Sequence, residues 1–129
     1  MRAMQYLASR DGVCHVDEVS QKMGIPLSFL RKILQRLVSA SLVRSHRGFA
    51  GGFSLARTPD EITLLQIMEA VDGTFFLNPC LGGAQQACVL DHNCSLQRAW
   101  GAGEAALKRT LETYTLRGLT TGEVPTAVQ

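Results

Sequence analysis

The sequence lacks the features that would place it in a membrane or outside the cell. No apolar run reaches about 18 residues, the length typical of a membrane-spanning helix. The N-terminus has no charged stretch followed by an apolar segment and a cleavage site, as a signal peptide would have. We therefore expect a cytoplasmic protein. Disulfides are rare in that compartment, and clustered cysteines more often bind metal or carry out redox chemistry.

Residue groupings typical of enzymes are also missing. The chain has no glycine-rich phosphate-binding loop and no carboxylate pair arranged for acid–base catalysis. Its histidines, His15, His46 and His92, form no triad with a serine and an aspartate. With 129 residues, 46% of them hydrophobic, the chain is long enough for one domain with a core. The sequence therefore gives no indication of an enzyme.

Acidic residues are absent from one continuous stretch, residues 24–57. The whole chain has a net charge of only +2, so positive charge is concentrated in this stretch. Its cations are Arg31, Lys32, Arg36, Arg44, Arg47 and Arg57. Such a concentration is typical of a DNA-binding surface, although a charge run alone more often marks the solvated face of a small helical domain.

The local patterns within this stretch predict a helix-turn-helix. Apolar residues recur at helical spacing from Leu27 to Val38, and Pro26 suits the first turn of that helix. A shorter helix with Asp17 as its N-cap is expected before it, and Gly24 suits the turn between the two. The outer face of the second helix would enter the major groove of DNA. That face carries Ser28, Arg31, Lys32, Gln35 and Arg36.

The residues that follow predict a β-hairpin, the wing of a winged helix-turn-helix. Two short strand-like runs, 42–45 and 53–56, flank a glycine-rich turn at 46–52. Glycines in this turn would let the backbone approach a phosphate, and an arginine at its tip could enter a minor groove. The DNA-contacting residues expected here are Arg44, His46, Arg47 and Gly51.

We expect a mainly α fold with this small β-hairpin and a long C-terminal dimerisation helix. Residues 1–73 would form the winged helix-turn-helix, whose first helix lacks a capping residue and is expected to be truncated. Residues 74–94 would form a cysteine-containing loop, 95–117 the long helix, and 118–129 a flexible tail.

The long helix has a continuous apolar seam, roughly 30 Å in length. It comprises Leu96, Ala99, Trp100, Gly103, Ala106, Leu107, Thr110, Leu111 and Tyr114. We expect this helix to pair with a second copy, because groove-reading helices usually work in two-fold pairs on palindromic sites. The alternative is that it packs back on its own domain.

Three of the four cysteines lie close together before the long helix. Cys80, Cys88 and Cys94 have the spacing C-x7-C-x5-C, and three thiolates on one loop can bind zinc or an iron–sulfur cluster. The gaps are wider than those of structural zinc sites, and no fourth ligand is obvious, since His92, although it could be a ligand, is expected to be a loop residue. Free thiols, or a disulfide with one cysteine left over, are the alternatives. Cys14, far away in sequence, is expected to be a buried apolar residue.

Taken in order, these motifs resemble the IscR/NsrR family of bacterial winged-helix regulators, also called the Rrf2 family. The resemblance covers about residues 1–117. Its motifs are PLSFL and LQRL at 26–30 and 34–37, SHRG and GGFSL at 45–48 and 51–55, ITL at 62–64, AVDG at 70–73, and the three-cysteine loop.

The resemblance implies a homodimeric transcription factor that binds a palindromic operator in double-stranded DNA. It also implies an iron–sulfur cluster of the two-iron or four-iron type, held by Cys80, Cys88 and Cys94. In such regulators operator binding responds to iron–sulfur status, redox stress or nitric oxide. By the same resemblance, Ser28 and Arg31 lie where the family reads bases.

Three departures from the family pattern affect these expectations. The first cysteine gap is seven residues where five is common, and Gln97 stands where the family has a histidine ligand. In other members the fourth ligand comes from the first helix of the partner subunit. Arg31 replaces an acidic residue of some members, so the operator should differ from a relative's. Two alternatives stay open: a thiol or zinc switch on the same cysteines, and a winged-helix module that binds another protein.

Overall fold

The computed structural model describes residues 1–82, 94–123 and 125–126 and confirms a helical fold with a β-hairpin wing. Its elements are α1 Arg2–Ala8, α2 Val16–Met23, α3 Leu27–Ser39, β1 Val43–His46, β2 Gly52–Leu55, α4 Leu64–Asp72, a 3₁₀ turn Pro79–Leu81, α5 Ser95–Thr113 and α6 Leu116–Thr121. Among these residues no helix has the length and apolar character needed to cross a bilayer.

The core forms where the first three helices meet the hairpin. Leu30, Leu34 and Leu37 line one face of α3, and each is at most 1% exposed. Met4 and Leu7 of α1 pack into the same cluster. Burying a leucine side chain contributes about 1.5–3 kcal/mol, so α3 is held firmly by this face and its opposite face remains available.

The turn between α2 and α3 confirms the helix-turn-helix prediction. Gly24 ends α2 with φ 61° and ψ 41°, the left-handed conformation that glycine adopts readily. Pro26 is the N-cap residue of α3. The start of α2 differs from the prediction, because His15 occupies the N-cap position and Asp17 lies inside the first turn. An acidic residue there is favoured by the positive end of the helix dipole.

The turn of the wing hairpin is shorter than predicted by one residue at each end. His46 pairs with Gly52 across the antiparallel strands, so the turn comprises residues 47–51. A ring nitrogen of His46 also lies 2.8 Å from Ser54 Oγ. Composition alone predicts that His46 belongs to the turn, whereas these cross-strand contacts place it at the end of β1.

A backbone bridge attaches the wing to the N-terminal half of the domain. Cys14 and Phe53 exchange two backbone hydrogen bonds, with N–O distances of 2.8 and 2.9 Å. Cys14 is buried at 4% exposure, as expected. The part of β2 next to the turn is therefore braced against the segment that leads into α2.

The C-terminal part differs from the predicted flexible tail. The long helix α5 ends at Thr113, and the chain forms a further helix, α6, from Leu116 to Thr121. Leu116 is fully buried in the core. Glycine and threonine give this segment a low intrinsic helix propensity, so its order depends on burial against the rest of the domain.

Candidate nucleic-acid interface and cysteine segment

The face of α3 opposite the core carries the polar and basic residues predicted to read DNA. All of them are exposed: Ser28, Arg31, Lys32, Gln35 and Arg36. An α-helix fits the major groove of B-form DNA, and arginine and lysine donors suit guanine edges and phosphates. The buried leucines on the other side fix the orientation in which α3 presents these groups.

Arg36 has a partner within the domain. Its Nη1 donates a hydrogen bond to the carbonyl of Val71, near the C-terminal end of α4. A cation is favoured there because the last carbonyls of a helix carry partial negative charge. Arg36 therefore links α3 to α4.

The wing presents further basic residues. Arg44 and Arg47 are exposed, whereas His46 is half-buried beside its partner in β2. A Cβ atom at Gly51 would lie 2.6 Å from the carbonyl oxygen of His46 and 2.7 Å from that of Gly48. The Gly51 N–H already donates to the Gly48 carbonyl at 2.9 Å. Gly51 therefore shapes the tip, and a side chain there would require the turn to rearrange.

Two exposed aromatic residues were missing from the predicted interface. Phe29 on α3 is 57% exposed, and Phe49 in the wing turn is 106% exposed. Hydrophobic residues are assigned to the core by default when only the sequence is read, and the sequence gives only weak signs that these two phenylalanines are exposed. Phe29 falls outside the apolar stripe of α3, and Phe49 lies within the glycine-rich turn.

The cysteine-bearing segment lies against the start of α5. Cys80 lies in the 3₁₀ turn, Cys94 is the N-cap residue of α5, and both are half-buried free thiols. Cys88 and His92 belong to residues 83–93, which are outside the described part of the chain.

Gln97 ties the first turn of α5 to the segment that carries Cys80. Its side-chain amide donates to the Cys80 carbonyl at 3.2 Å, and Gln97 follows Cys94 by three residues on the same side of α5. Two free thiols in this segment fit the donors of an iron–sulfur or zinc site. Within residues 1–82, 94–123 and 125–126 no three His, Cys, Asp or Glu groups form such a site, so further ligands would come from residues 83–93 or another chain.

The predicted seam of α5 divides between two environments. Leu107, Thr110, Leu111 and Tyr114 are half-buried, on the half of α5 that leads back to the domain. The remaining seam residues are exposed, and among them Leu96 is 58% and Trp100 39% exposed. These exposed residues are Leu96, Ala99, Trp100, Gly103 and Ala106.

A polar contact also fastens the segment before the cysteines to α5. Glu104 accepts the Leu77 N–H at 3.0 Å and the Lys108 ammonium at 2.9 Å. The hydrogen bond from the Leu77 N–H, and to a smaller extent the one from Lys108, holds the pKa of the Glu104 carboxyl below its usual value. The carboxylate therefore stays ionised and keeps this contact at neutral pH.

Comparison with known proteins supports the family suggested by the motifs. A family model described as Rrf2, iron-dependent transcriptional regulator, matches residues 1–122. The HTH-type transcriptional regulator NsrR of Halalkalibacterium halodurans is 29% identical over 125 residues, covering 95% of this chain and 86% of NsrR.

Two solved structures have the same fold. CymR, the global cysteine regulator of B. subtilis, has a TM-score of 0.73 at 26% identity, covering 92% of this chain and 87% of the CymR chain. IscR of T. potens has a TM-score of 0.72 at 22% identity, covering 95% of this chain and 81% of the IscR chain. The chain belongs to the Rrf2 family of DNA-binding transcriptional regulators.

Proposed function

We propose that this regulator works as a homodimer and that an iron–sulfur cluster on Cys80, Cys88 and Cys94 controls its operator binding. The observation that carries the proposal is the Gln97–Cys80 hydrogen bond, which holds the backbone of a free cysteine against the helix whose N-cap is Cys94. The iron-dependent description of the family and the similarity to NsrR support an iron-based signal. When bound, the cluster would supply a centre that reacts with oxidants or nitric oxide.

The DNA-reading part of the proposal assigns α3 to the major groove and the wing to the minor groove. Ser28 and Arg31 would contact bases, with Lys32 and Gln35 beside them. Arg47 would enter the minor groove, and Arg44 would contact phosphates. Arg36, His46 and Gly51 would support these contacts through the positions they give to α3 and to the wing tip.

A continuous set of contacts offers a route from the cysteines to α3. Gln97 ties α5 to the Cys80 segment, and the carbonyl of Tyr114 at the end of α5 accepts the Leu64 N–H of α4 at 2.8 Å. Arg36 of α3 then bonds to Val71 of α4. We propose that a change in the ligands of Cys80 shifts α5 and, through α4, changes the position of α3.

The exposed half of the α5 seam is the surface that we assign to the second copy. Leu96 and Trp100 supply apolar area, and Gly103 and Ala106 would let another helix approach closely. A two-fold pair of this kind would present two α3 helices to the two halves of a palindromic operator.

The experiment that tests the proposal is purification without oxygen, followed by absorption spectroscopy and analysis of iron and sulfide. We expect a brown protein with absorption bands above about 320 nm that fade when nitric oxide or oxygen is added. Cys88→Ser should abolish iron loading and leave the dimer intact, whereas Cys14→Ser, the matched control in the core, should retain the iron. Colourless protein without iron would refute the cluster.

The same preparation distinguishes the second candidate function, a thiol or zinc switch. That candidate is favoured by the free state and partial exposure of Cys80 and Cys94. It predicts zinc or a disulfide, no iron, and retained DNA binding.

The other alternative, a module that binds another protein, is tested by measuring DNA affinity as a function of salt concentration. If the chain makes several phosphate contacts, its DNA affinity should fall roughly 10³-fold or more between about 50 and 200 mM salt.

A further inference from the structure

Phe49 lies at the wing tip with its aromatic ring entirely in solvent. Its exposure is 106%, and Arg47, Gly48 and Ala50 around it are exposed as well. A phenylalanine in water gains none of the free energy that burial would give. The ring therefore adds nothing to the stability of the isolated domain, and its position suits a surface that the wing meets.

The turn that carries Phe49 is braced. Gly48 adopts φ +101°, its carbonyl accepts the Gly51 N–H, and the absence of a side chain at Gly51 keeps the turn tight. Next to the turn, at the second residue of β2, the Cys14–Phe53 bridge holds this strand against the segment that leads into α2. Little conformational freedom would be lost when such a tip enters a groove.

We infer that Phe49 is a wedge that enters the minor groove of the operator beside Arg47 and partly unstacks one base step. The inference rests on the proposed contact between the wing and DNA. Proteins that bind the minor groove insert apolar side chains such as phenylalanine between base pairs and kink the duplex. Arg47, two residues earlier, supplies the cation that the negative potential of a narrow minor groove attracts.

The surroundings of Phe49 favour DNA over a protein partner. The stretch 24–57, which contains both α3 and the wing, has no Asp or Glu. Polyanionic DNA is attracted by such a surface. An apolar protein interface would need a larger patch than one ring, whereas Phe49 is flanked by arginine, glycine and alanine.

A wedge of this kind would add sequence preference without any hydrogen bond to a base. Pyrimidine–purine steps such as TA and CA/TG unstack and kink most easily. The operator should therefore contain such a step where each wing lies, at a fixed distance from the bases that α3 contacts.

The test begins with selection of binding sites from a random duplex library by the wild-type dimer. We expect the selected sites to contain a pyrimidine–purine step at the wing position, and Phe49→Ala to lose this preference while keeping the bases chosen by α3. On a selected site Phe49→Ala should bind roughly tenfold more weakly, and Phe49→Leu, which keeps an apolar wedge, should bind nearly as well as wild type. Energy transfer between dyes on the duplex ends should show a smaller bend with Phe49→Ala.

Two controls keep the outcomes separate. Arg47→Ala should weaken binding whether the step under the wing is pyrimidine–purine or purine–purine, because it removes a charge. Phe49→Ala should weaken binding only to the duplex with a pyrimidine–purine step under the wing. The unfolding temperature of this variant should equal that of wild type. If the selected sites lack an enriched pyrimidine–purine step, or if Phe49→Ala bends the duplex as much as wild type does, the wedge assigned to Phe49 is wrong and the proposal that the wing contacts DNA is unaffected. Failure of the wild type to select any sequence would overturn the DNA-reading proposal as well.

Discussion

The side-chain amide of Gln97 donates a hydrogen bond to the backbone carbonyl of Cys80 across 3.2 Å. The family resemblance implies a histidine ligand at position 97, whereas this chain has an amide hydrogen-bond donor there. Glutamine is a poor cluster ligand, and here its amide nitrogen donates to the Cys80 carbonyl. The contact orders the segment before residue 83 against α5.

Gln97→His should therefore make an iron–sulfur cluster harder to remove. The imidazole would add a ligand at the first turn of α5, and we expect iron release to a ferrous chelator to slow by roughly tenfold or more. Gln97→Ala, which only removes the hydrogen bond, should release iron faster than wild type. Equal rates for Gln97→His and wild type would mean that another group already fills the fourth position.

Trp100→Glu should convert the proposed dimer into a monomer. A carboxylate on the exposed seam of α5 would have to lose its hydration when the second copy packs there. Arg98→Glu is the matched control, because Arg98 is also exposed on α5 but lies on a different side from Leu96 and Trp100. Sedimentation equilibrium should give a dimer for the control and a monomer for Trp100→Glu.

The same pair of variants tests whether the dimer is needed for DNA binding. A monomer can contact only one half of the palindromic operator, so Trp100→Glu should weaken operator binding by roughly 10²-fold or more. A Trp100→Glu variant that stays dimeric would show that the seam is not the interface.

Local patterns were sufficient to predict the part of the fold that positions the recognition helix. The 3.6-residue spacing of Leu30, Leu34 and Leu37 specifies one buried face of α3, and Gly24 marks the turn before it. Both signals lie within a few residues of the structure they describe, which is why they can be read from sequence.

Features set by distant contacts could not be read in this way. Helix α6 depends on burial of Leu116 and on a hydrogen bond from Gln5 to the Leu119 carbonyl, 114 positions apart in the chain. The role of Gln97 at Cys80 likewise depends on how the loop meets α5. The exposure of Phe49 follows from the direction of the turn, which composition does not specify.

Gly52→Ala should destabilise the domain more than the same change at Gly12. A Cβ at Gly52 would lie 2.2 Å from the Cys14 carbonyl oxygen, so the wing would have to separate from its bridge. We expect a loss of about 3 kcal/mol or more in the free energy of unfolding. Gly12 has φ +92°, and a Cβ there would meet no atom within 4 Å, so only backbone strain of about 1–2 kcal/mol is expected.

Urea unfolding followed by circular dichroism would measure both changes. Similar losses for Gly52→Ala and Gly12→Ala would show that the contact between β2 and the Cys14 segment yields easily. In that case the wing could not act as the rigid support that a groove-entering tip requires.

Cys14 should react with alkylating reagents much more slowly than Cys80 and Cys94. Burial raises the pKa of the Cys14 thiol, so less of the reactive thiolate is present at a given pH, and the side chain is only 4% exposed. In metal-free protein at pH 8 we expect iodoacetamide to label Cys80 and Cys94 at least roughly tenfold faster, as measured by peptide mass spectrometry. In urea the difference should disappear.

The raised pKa also fixes the direction of a pH effect on stability. The stabilisation associated with the protonated Cys14 thiol is complete below the pKa of the unfolded chain, about 8.5, and is lost as the pH rises through the higher folded value. Unfolding free energy should therefore fall at alkaline pH, and Cys14→Ala should remove that part of the slope. Fast labelling of Cys14 in the native protein would mean that the bridge to Phe53 opens readily, and would add a fourth accessible thiol to the candidate ligands.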